Sequence, residues 1–345
     1  MVKYAVGIDI SAQKFHVCIS SIDANQVVKV VASSSFSNTT PGFKLLKDWI
    51  GKHAKPKDIP LVIVMEATGV YYEGCALYLN QAGYFVSVVL PNKAKKYLQA
   101  TGLKTKNDKI DAKGLSRMAA EQSLPQWQPM SEFFFALRAM TRQLQSVQEM
   151  KTSFNNQLHA AELSMYPSKM VIRQLKQMIA TIDKQITMLQ KEIEKHLCSD
   201  EDMAQKVEKL CSIKGVGLTT IAVILAETNG FALFENARQL ISYAGYDVTE
   251  NQSGKRTGKT RISKKGNSRI RRILHLPAFN MVTYNIAPFV QLFNRTLQKH
   301  QIKMKSYVAI QKKLLVILYA MWKKNEGFNS QFAKEEAVSP LGQAS

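Results

Sequence analysis

The first third of the chain alternates short apolar runs with polar, turn-prone stretches. Val2–Ile8 and Phe15–Ser20 predict strands, and a third is expected around Val27–Val30. Thr40-Pro41 predicts a helix start, because proline suits the first helical turn, and this helix should run to about His53. Leu61-Val-Ile-Val-Met65 is an unbroken apolar run, the pattern of a strand buried on both faces. A helix from about Val70 to Gly83 and a strand Tyr84–Leu90, ended by Pro91, follow. Strands in hairpin order and then alternating with helices indicate a mixed α/β sheet in a first domain, residues 1–130.

From Ser131 the period changes. Phe134, Leu137, Met140 or Thr141, Leu144, Val147 and Met150 or Lys151 recur at spacings of three and four until Pro167. Met170–Leu197 repeats the pattern with Ile172, Leu175, Ile179, Ile182, Ile186, Leu189 and Ile193. Two long amphipathic helices over 131–205 predict an antiparallel hairpin or an oligomerising coiled coil; a packed helical spacer is the plainer alternative. A mainly helical third domain, 206–330, opens with Ile213-Lys214-Gly215-Val216-Gly217 before the helix Leu218–Ala226. This resembles a helix-hairpin-helix element, whose turn amides face a phosphate, although the glycines would equally serve a tight turn. Glu250–Asn267 reads as a polar loop, Ser268 to about Lys324 as helices, and 331–345 as a loose tail.

Charge sharpens this picture. The 345 residues carry a net +21, and from Asn251 to Asn325 there are 17 Lys or Arg and no Asp or Glu. So basic a block in a globular pattern points to a polyanion, most simply nucleic acid, against the alternative of a solvated face or an anionic membrane surface. The cysteines, at 18, 75, 198 and 211, are scattered without metal-ligand spacing, which suits a reducing cytoplasm and argues against zinc or a disulfide framework. The apolar start is a core strand rather than a signal peptide, and Leu314–Trp322 is too short to cross a bilayer.

Four acids carry the candidate chemistry. Asp9 and Glu66 each end an apolar strand, and Asp108 and Asp111 open a helix three residues apart, on one face. Each singly has an ordinary reading as a strand-end, capping or dipole residue. Together they are enough oxygen donors for two Mg²⁺ about 4 Å apart, the clamp that serves phosphoryl transfer.

The order Gly-Ile-Asp9-Ile-Ser, Met-Glu66-Ala-Thr-Gly-Val-Tyr and Asn-Asp108-Lys-Ile-Asp111-Ala resembles the DEDD transposases of bacterial insertion sequences. Ile213-Lys-Gly-Val-Gly, Tyr243-Ala-Gly, Ser253-Gly254, Ile262-Ser-Lys-Lys-Gly-Asn267 and Arg271-Arg-Ile-Leu274 extend the resemblance over nearly the whole chain. It implies an N-terminal domain of the RuvC-like, RNase H type and a recombinase that pairs donor and target double-stranded DNA. It also implies guidance by a bridge RNA, Mg²⁺ on the four acids, and a site assembled from two subunits of a dimer or tetramer. Carried over, Ser253 is the nucleophile that forms a phosphoserine link to DNA; Ser263 and Ser268 lie in the same region.

Two basic sets would bind nucleic acid. Lys104, Lys106 and Lys109, with Lys93, Lys95 and Lys96, flank the acids. Lys214, Gly215, Gly217, Lys255, Arg256, Lys259, Arg261, Lys264, Lys265, Arg269, Arg271 and Arg272 belong to the last domain. Such residues position a backbone without reading sequence. The competing readings are a hydrolytic junction nuclease that needs the four acids but no serine, and a non-catalytic nucleic-acid-binding scaffold. An actin-like ATPase also begins with Gly-Ile-Asp, but a second Asp-Gly-Gly phosphate loop is missing from the sequence.

Overall fold

A computed structural model describes residues 2–54, 59–101, 107–249, 252–253, 256–258 and 260–329. The chain divides into two compact units, the first ending at Pro129 and the second beginning at Met130.

The first unit is a five-stranded sheet between helices. Its elements are β1 (Lys3–Ile10), β2 (Lys14–Ile22), β3 (Val28–Ser37), α1 (Thr40–His53), β4 (Leu61–Glu66), α2 (Glu73–Gln81), β5 (Phe85–Val89), α3 (Pro91–Ala100) and α4 (Asp108–Glu121). The strand order is β3-β2-β1-β4-β5, with β1 antiparallel to β2 and parallel to β4, and β4 parallel to β5. Side chains alternate across a strand, and the two faces are covered by different helices. Val6, Ile8, Ile63 and Met65 pack with Phe43, Leu46, Ile50 and Leu79 of α1 and α2. Ala5, Val64 and Val89 pack on the other face with Ala94 of α3 and Leu115, Met118 and Ala119 of α4. This is the mixed α/β sheet expected from the apolar runs.

Two elements depart from the sequence reading. β3 continues to Ser37 through a serine-rich stretch; as an edge strand it pairs only with β2 and tolerates polar residues on its exposed positions. The helix α3 follows directly on Pro91, which begins the helix as well as ending the strand.

The second unit is almost wholly helical. It contains α5 (Glu132–Glu162), α6 (Lys169–Leu197), α7 (Glu201–Cys211), α8 (Leu218–Thr228) and α9 (Ala237–Ala244). Four two-residue strands follow, β6 (Val248–Thr249), β7 (Gln252–Ser253), β8 (Arg256–Thr257) and β9 (Arg261–Ile262), then α10 (Ser268–Ile273), α11 (His275–Thr283), α12 (Ala287–His300) and α13 (Lys303–Lys324). α5 and α6 form an antiparallel hairpin, tied by Lys151–Asp183 at 2.5 Å and Lys176–Glu162 at 2.9 Å. Leu137, Thr141, Leu144 and Val147, four of the positions picked out by their spacing, are the buried stripe of α5. α8 lies at the centre of the unit, with every residue from Thr220 to Thr228 buried. Among the described residues no helix is long and apolar enough to cross a membrane.

Candidate active site

The acid edge follows from strand register and one glycine. Ile8 pairs with Met65 in the parallel β1–β4 ladder, so Asp9 and Glu66 occupy the next positions on adjacent strands, at their carboxyl ends. Asp9 lies two residues beyond Gly7 and four beyond Ala5, and Glu66 two beyond Val64, so both acids belong to the face covered by α4. α4 comes unusually close there. A Cβ on Gly7 would stand 2.2 Å from the Ala112 carbonyl oxygen and 2.1 Å from the Ser116 amide nitrogen, so only glycine admits the helix. Ser20 Oγ and Ser116 Oγ, 2.7 Å apart, fix the same helix against β2.

The first turn of α4 thereby reaches the edge where Asp9 and Glu66 end their strands. Asn107 caps it, its side chain accepting from the Ile110 amide at 2.9 Å, and Asp108 and Asp111 both lie in that turn. His16, directly opposite Asp9 across β1 and β2, places Nε2 3.8 Å from Asp108 Oδ2. Thr68 donates to Glu66 Oε1 at 3.5 Å from the turn after β4. The four acids thus share one face and one edge. Their oxygen donors match the preference of Mg²⁺ in kind. Among the described residues, however, no three His, Cys, Asp or Glu side chains stand close enough together to hold a metal ion. Asp108 is more than half exposed and leans on His16.

In the second unit the described parts of the segment expected as a loop form two short antiparallel ladders, a narrow β-ribbon. Val248 and Thr249 pair with Ile262 and Arg261, and farther out Gln252 and Ser253 pair with Thr257 and Arg256. Ser253 therefore stands opposite Arg256 in the outer ladder. The ribbon leaves from the end of α9 and returns toward the start of α10.

At its base lies a buried ionic cluster. Glu227, only 2 % exposed, accepts from Arg142 Nε at 2.8 Å and Nη2 at 3.0 Å, and from Asn267 Nδ2 at 2.7 Å. Tyr243 Oη donates to the Glu227 carbonyl at 3.0 Å. Burial pushes the Glu227 carboxyl up, but the bonds from Arg142 and Asn267, with the charges of Arg142 and Arg269, outweigh it and hold the carboxyl below the usual carboxylate range. Burial likewise raises the Tyr243 phenol.

Comparison with known proteins decides the family. Residues 6–167 match a family model described as transposase, of the DEDD type, and residues 207–293 match that of the transposase IS116/IS110/IS902 family. The chain is 30% identical to the pilin gene-inverting protein of Moraxella bovis, over 96% of this chain and 99% of that one. The chain belongs to the IS116/IS110/IS902 transposase family.

A transposase for insertion sequence element IS1328 from Yersinia enterocolitica is 21% identical over 78% of this chain and 81% of its own. Thermus thermophilus RuvC in complex with a Holliday junction substrate aligns at 10% identity and TM-score 0.28, over 36% of this chain and 99% of that one.

The remaining basic residues singled out in this transposase-family chain fall into four groups. Lys93, Lys95, Lys96 and Lys109 are exposed on α3 and α4, and Arg261, Lys264 and Lys265 are exposed at the ribbon's inner end. Lys104, Lys106, Lys255 and Lys259 lie outside the described residues. Arg256 is placed only by its backbone, in the ladder with Ser253. The others have partners inside the unit. Arg271 Nη1 donates to the Ala244 carbonyl at 2.8 Å, Arg272 pairs with Glu149, and Arg269 lies 3.9 Å from Glu227.

The glycines of the 213–217 turn differ from each other. Gly215 has φ +92°, and a Cβ there would meet Asn280 at 2.7 Å, so it serves packing against α11. Gly217 starts α8 in open surroundings. Lys214 Nζ sits 4.8 Å above the Tyr284 ring. His16 and Glu227 escaped the sequence reading. His16 sits in an ordinary strand, and the one available signal for Glu227 was an acid directly after the apolar run Ile221–Ala226.

Proposed function

We propose that this protein is a DNA recombinase that cuts and rejoins strands through Ser253, with Mg²⁺ held by Asp9, Glu66, Asp108 and Asp111. The observation that supports this reading is that the four acids lie along one edge and one face of the sheet. Bound there, Mg²⁺ would neutralise charge on the phosphate and polarise its oxygens. A serine hydroxyl is a weak nucleophile until activated, so the Ser253 ribbon of one copy must meet the acid edge of another. The Ser253 oxygen then bonds to phosphorus while one deoxyribose–phosphate bond breaks. The serine proton is released, and the leaving deoxyribose oxygen gains one.

The exposed Lys93, Lys95, Lys96, Lys109, Arg261, Lys264 and Lys265 bind the backbones of donor and target duplexes. Such residues position a backbone without reading sequence, and a bridge RNA would supply the sequence choice. A dimer would supply two acid edges and two ribbons, and a tetramer four of each.

Covalent trapping tests the reading. Protein, Mg²⁺, labelled element-junction DNA and the flanking transcript are incubated and run on a denaturing gel. We expect a protein–DNA adduct that disappears in Ser253→Ala and in Asp9→Ala. Cleaved DNA without an adduct, unchanged in Ser253→Ala, would overturn it and leave the hydrolytic nuclease. In the same samples millimolar Mg²⁺ should raise the melting temperature of the wild type more than that of Asp9→Asn, since a ligand bound only by the native state stabilises it.

A further inference from the structure

We infer that Glu227 is a positioning residue for the Ser253 ribbon, acting through Asn267 and Tyr243. This rests on Ser253 being the nucleophile, as proposed above.

The ribbon has little to hold itself in place. Each ladder is two residues long, and an isolated two-stranded ribbon is marginal in water. Its direction is therefore set where it joins the helical unit. Three backbone bonds fasten that junction: Ser263 N–H to Asp247 O at 2.7 Å, Lys264 N–H to Gly245 O at 3.1 Å, and Asn267 N–H to Tyr243 O at 2.7 Å. Lys264 takes a left-handed φ of 52° to make the turn, and a Cβ on Gly266 would stand 2.4 Å from the Tyr243 carbonyl oxygen.

All three bonds depend on the spacing between the end of α9 and the start of α10. Glu227 sets that spacing. Its carboxylate takes the Asn267 amide, whose own Oδ1 caps α10 by accepting from Arg269 N and Ile270 N at 3.0 and 3.3 Å. Its carbonyl takes the Tyr243 hydroxyl, in the last turn of α9. Arg142 of α5 holds the same carboxylate through both of its oxygens.

A buried ion pair is weak evidence for stability, because apolar residues of similar volume often do as well; its better-attested use is to fix one arrangement. Here the arrangement fixed is the footing of the segment that carries the nucleophile. A displacement of about 1 Å at a reacting group costs on the order of 100-fold in rate.

The test uses the full chain with N267D and the double variant E227Q/N267D. N267D keeps a good helix cap but sets a carboxylate against Glu227. The double variant restores one donor and one acceptor with their roles exchanged. We expect N267D to keep its circular dichroism and to bind junction DNA within about 3-fold of the wild type. Its rate of adduct formation at saturating DNA should fall 10-fold or more, and amide hydrogen exchange should rise over 247–263 but not in α8 or α13. The double variant should recover at least part of the rate and of the protection.

Unchanged exchange in the ribbon, or raised exchange with an unchanged adduct rate, would overturn the inference. So would a rate loss matched by equal losses in DNA affinity and melting temperature, which is the mark of a general structural role. If the wild type itself forms no adduct, the serine reading falls and the functional half of the inference with it. Selective loss of ribbon protection in N267D would then still establish Glu227 as its anchor.

Discussion

The carbonyl of Ala112 sits directly over Gly7, at a distance that leaves no room for a methyl group between strand and helix. Asp111 precedes Ala112 in α4 and Asp9 follows Gly7 by two residues in β1, so this contact joins the two halves of the acid set. We expect Gly7→Ala to destabilise the protein by about 1–3 kcal/mol, the range of overpacked cores. The obstruction is backbone and cannot rotate away. Urea denaturation at pH 7 measures the loss, and the variant should also show a smaller Mg²⁺-induced rise in melting temperature.

Glu227 gives the protein an acid-side weakness. Its carboxyl is held below the ordinary range in the folded chain, whereas an unfolded Glu titrates near about 4.3. A lowered folded pKa contributes stability that is fully present above the unfolded value and is lost as pH falls through the folded one. Stability of the wild type should therefore fall on acidification from about pH 5 downward. Glu227→Gln should be less stable at pH 7 by about 1–3 kcal/mol, the scale of a weakened buried hydrogen-bond set, with a shallower decline below pH 5. Denaturant midpoints at pH 7 and pH 4 decide it; an equally steep decline in the variant would assign the acid sensitivity to other carboxyls.

Lys264 and Lys265 are exposed, whereas Arg271 spends its guanidinium on the Ala244 carbonyl. Removing either lysine should lower the slope of log K for DNA against log salt by about 0.9, one released counterion each, with little change in melting temperature. Arg271→Ala should do the reverse, costing about 1–3 kcal/mol of stability for a carbonyl left unsatisfied. Fluorescence anisotropy across a salt series, paired with thermal melts, separates the two behaviours.

Much of this was legible in residue order. Thr40-Pro41 marked the start of α1 and Asp108 with Asp111 that of α4, because proline and acidic residues suit the first helical turn by local chemistry. Leu137, Thr141, Leu144 and Val147 announced the buried stripe of α5 by spacing alone. The serines of β3 hid an edge strand, since a strand paired on one side needs little apolar pattern. The polar ribbon around Ser253 read as a loop because its ladders are held by backbone bonds, to which side-chain pattern is blind.

What the sequence by itself determined was local: periodicity, caps, the four acids at element ends, the excess of basic residues, and the motif order that resembles a transposase. Tertiary structure alone decided which side chains meet. Strand register set Asp9 beside Glu66 and opposite His16, Gly7 let α4 bring Asp108 and Asp111 to the same edge, and folding carried Arg142, Tyr243 and Asn267 to one buried carboxylate. Several of those meetings join residues far apart in the chain, Asn267 and Glu227 by 40 positions and Arg142 and Glu227 by 85, and no periodicity along the chain records them.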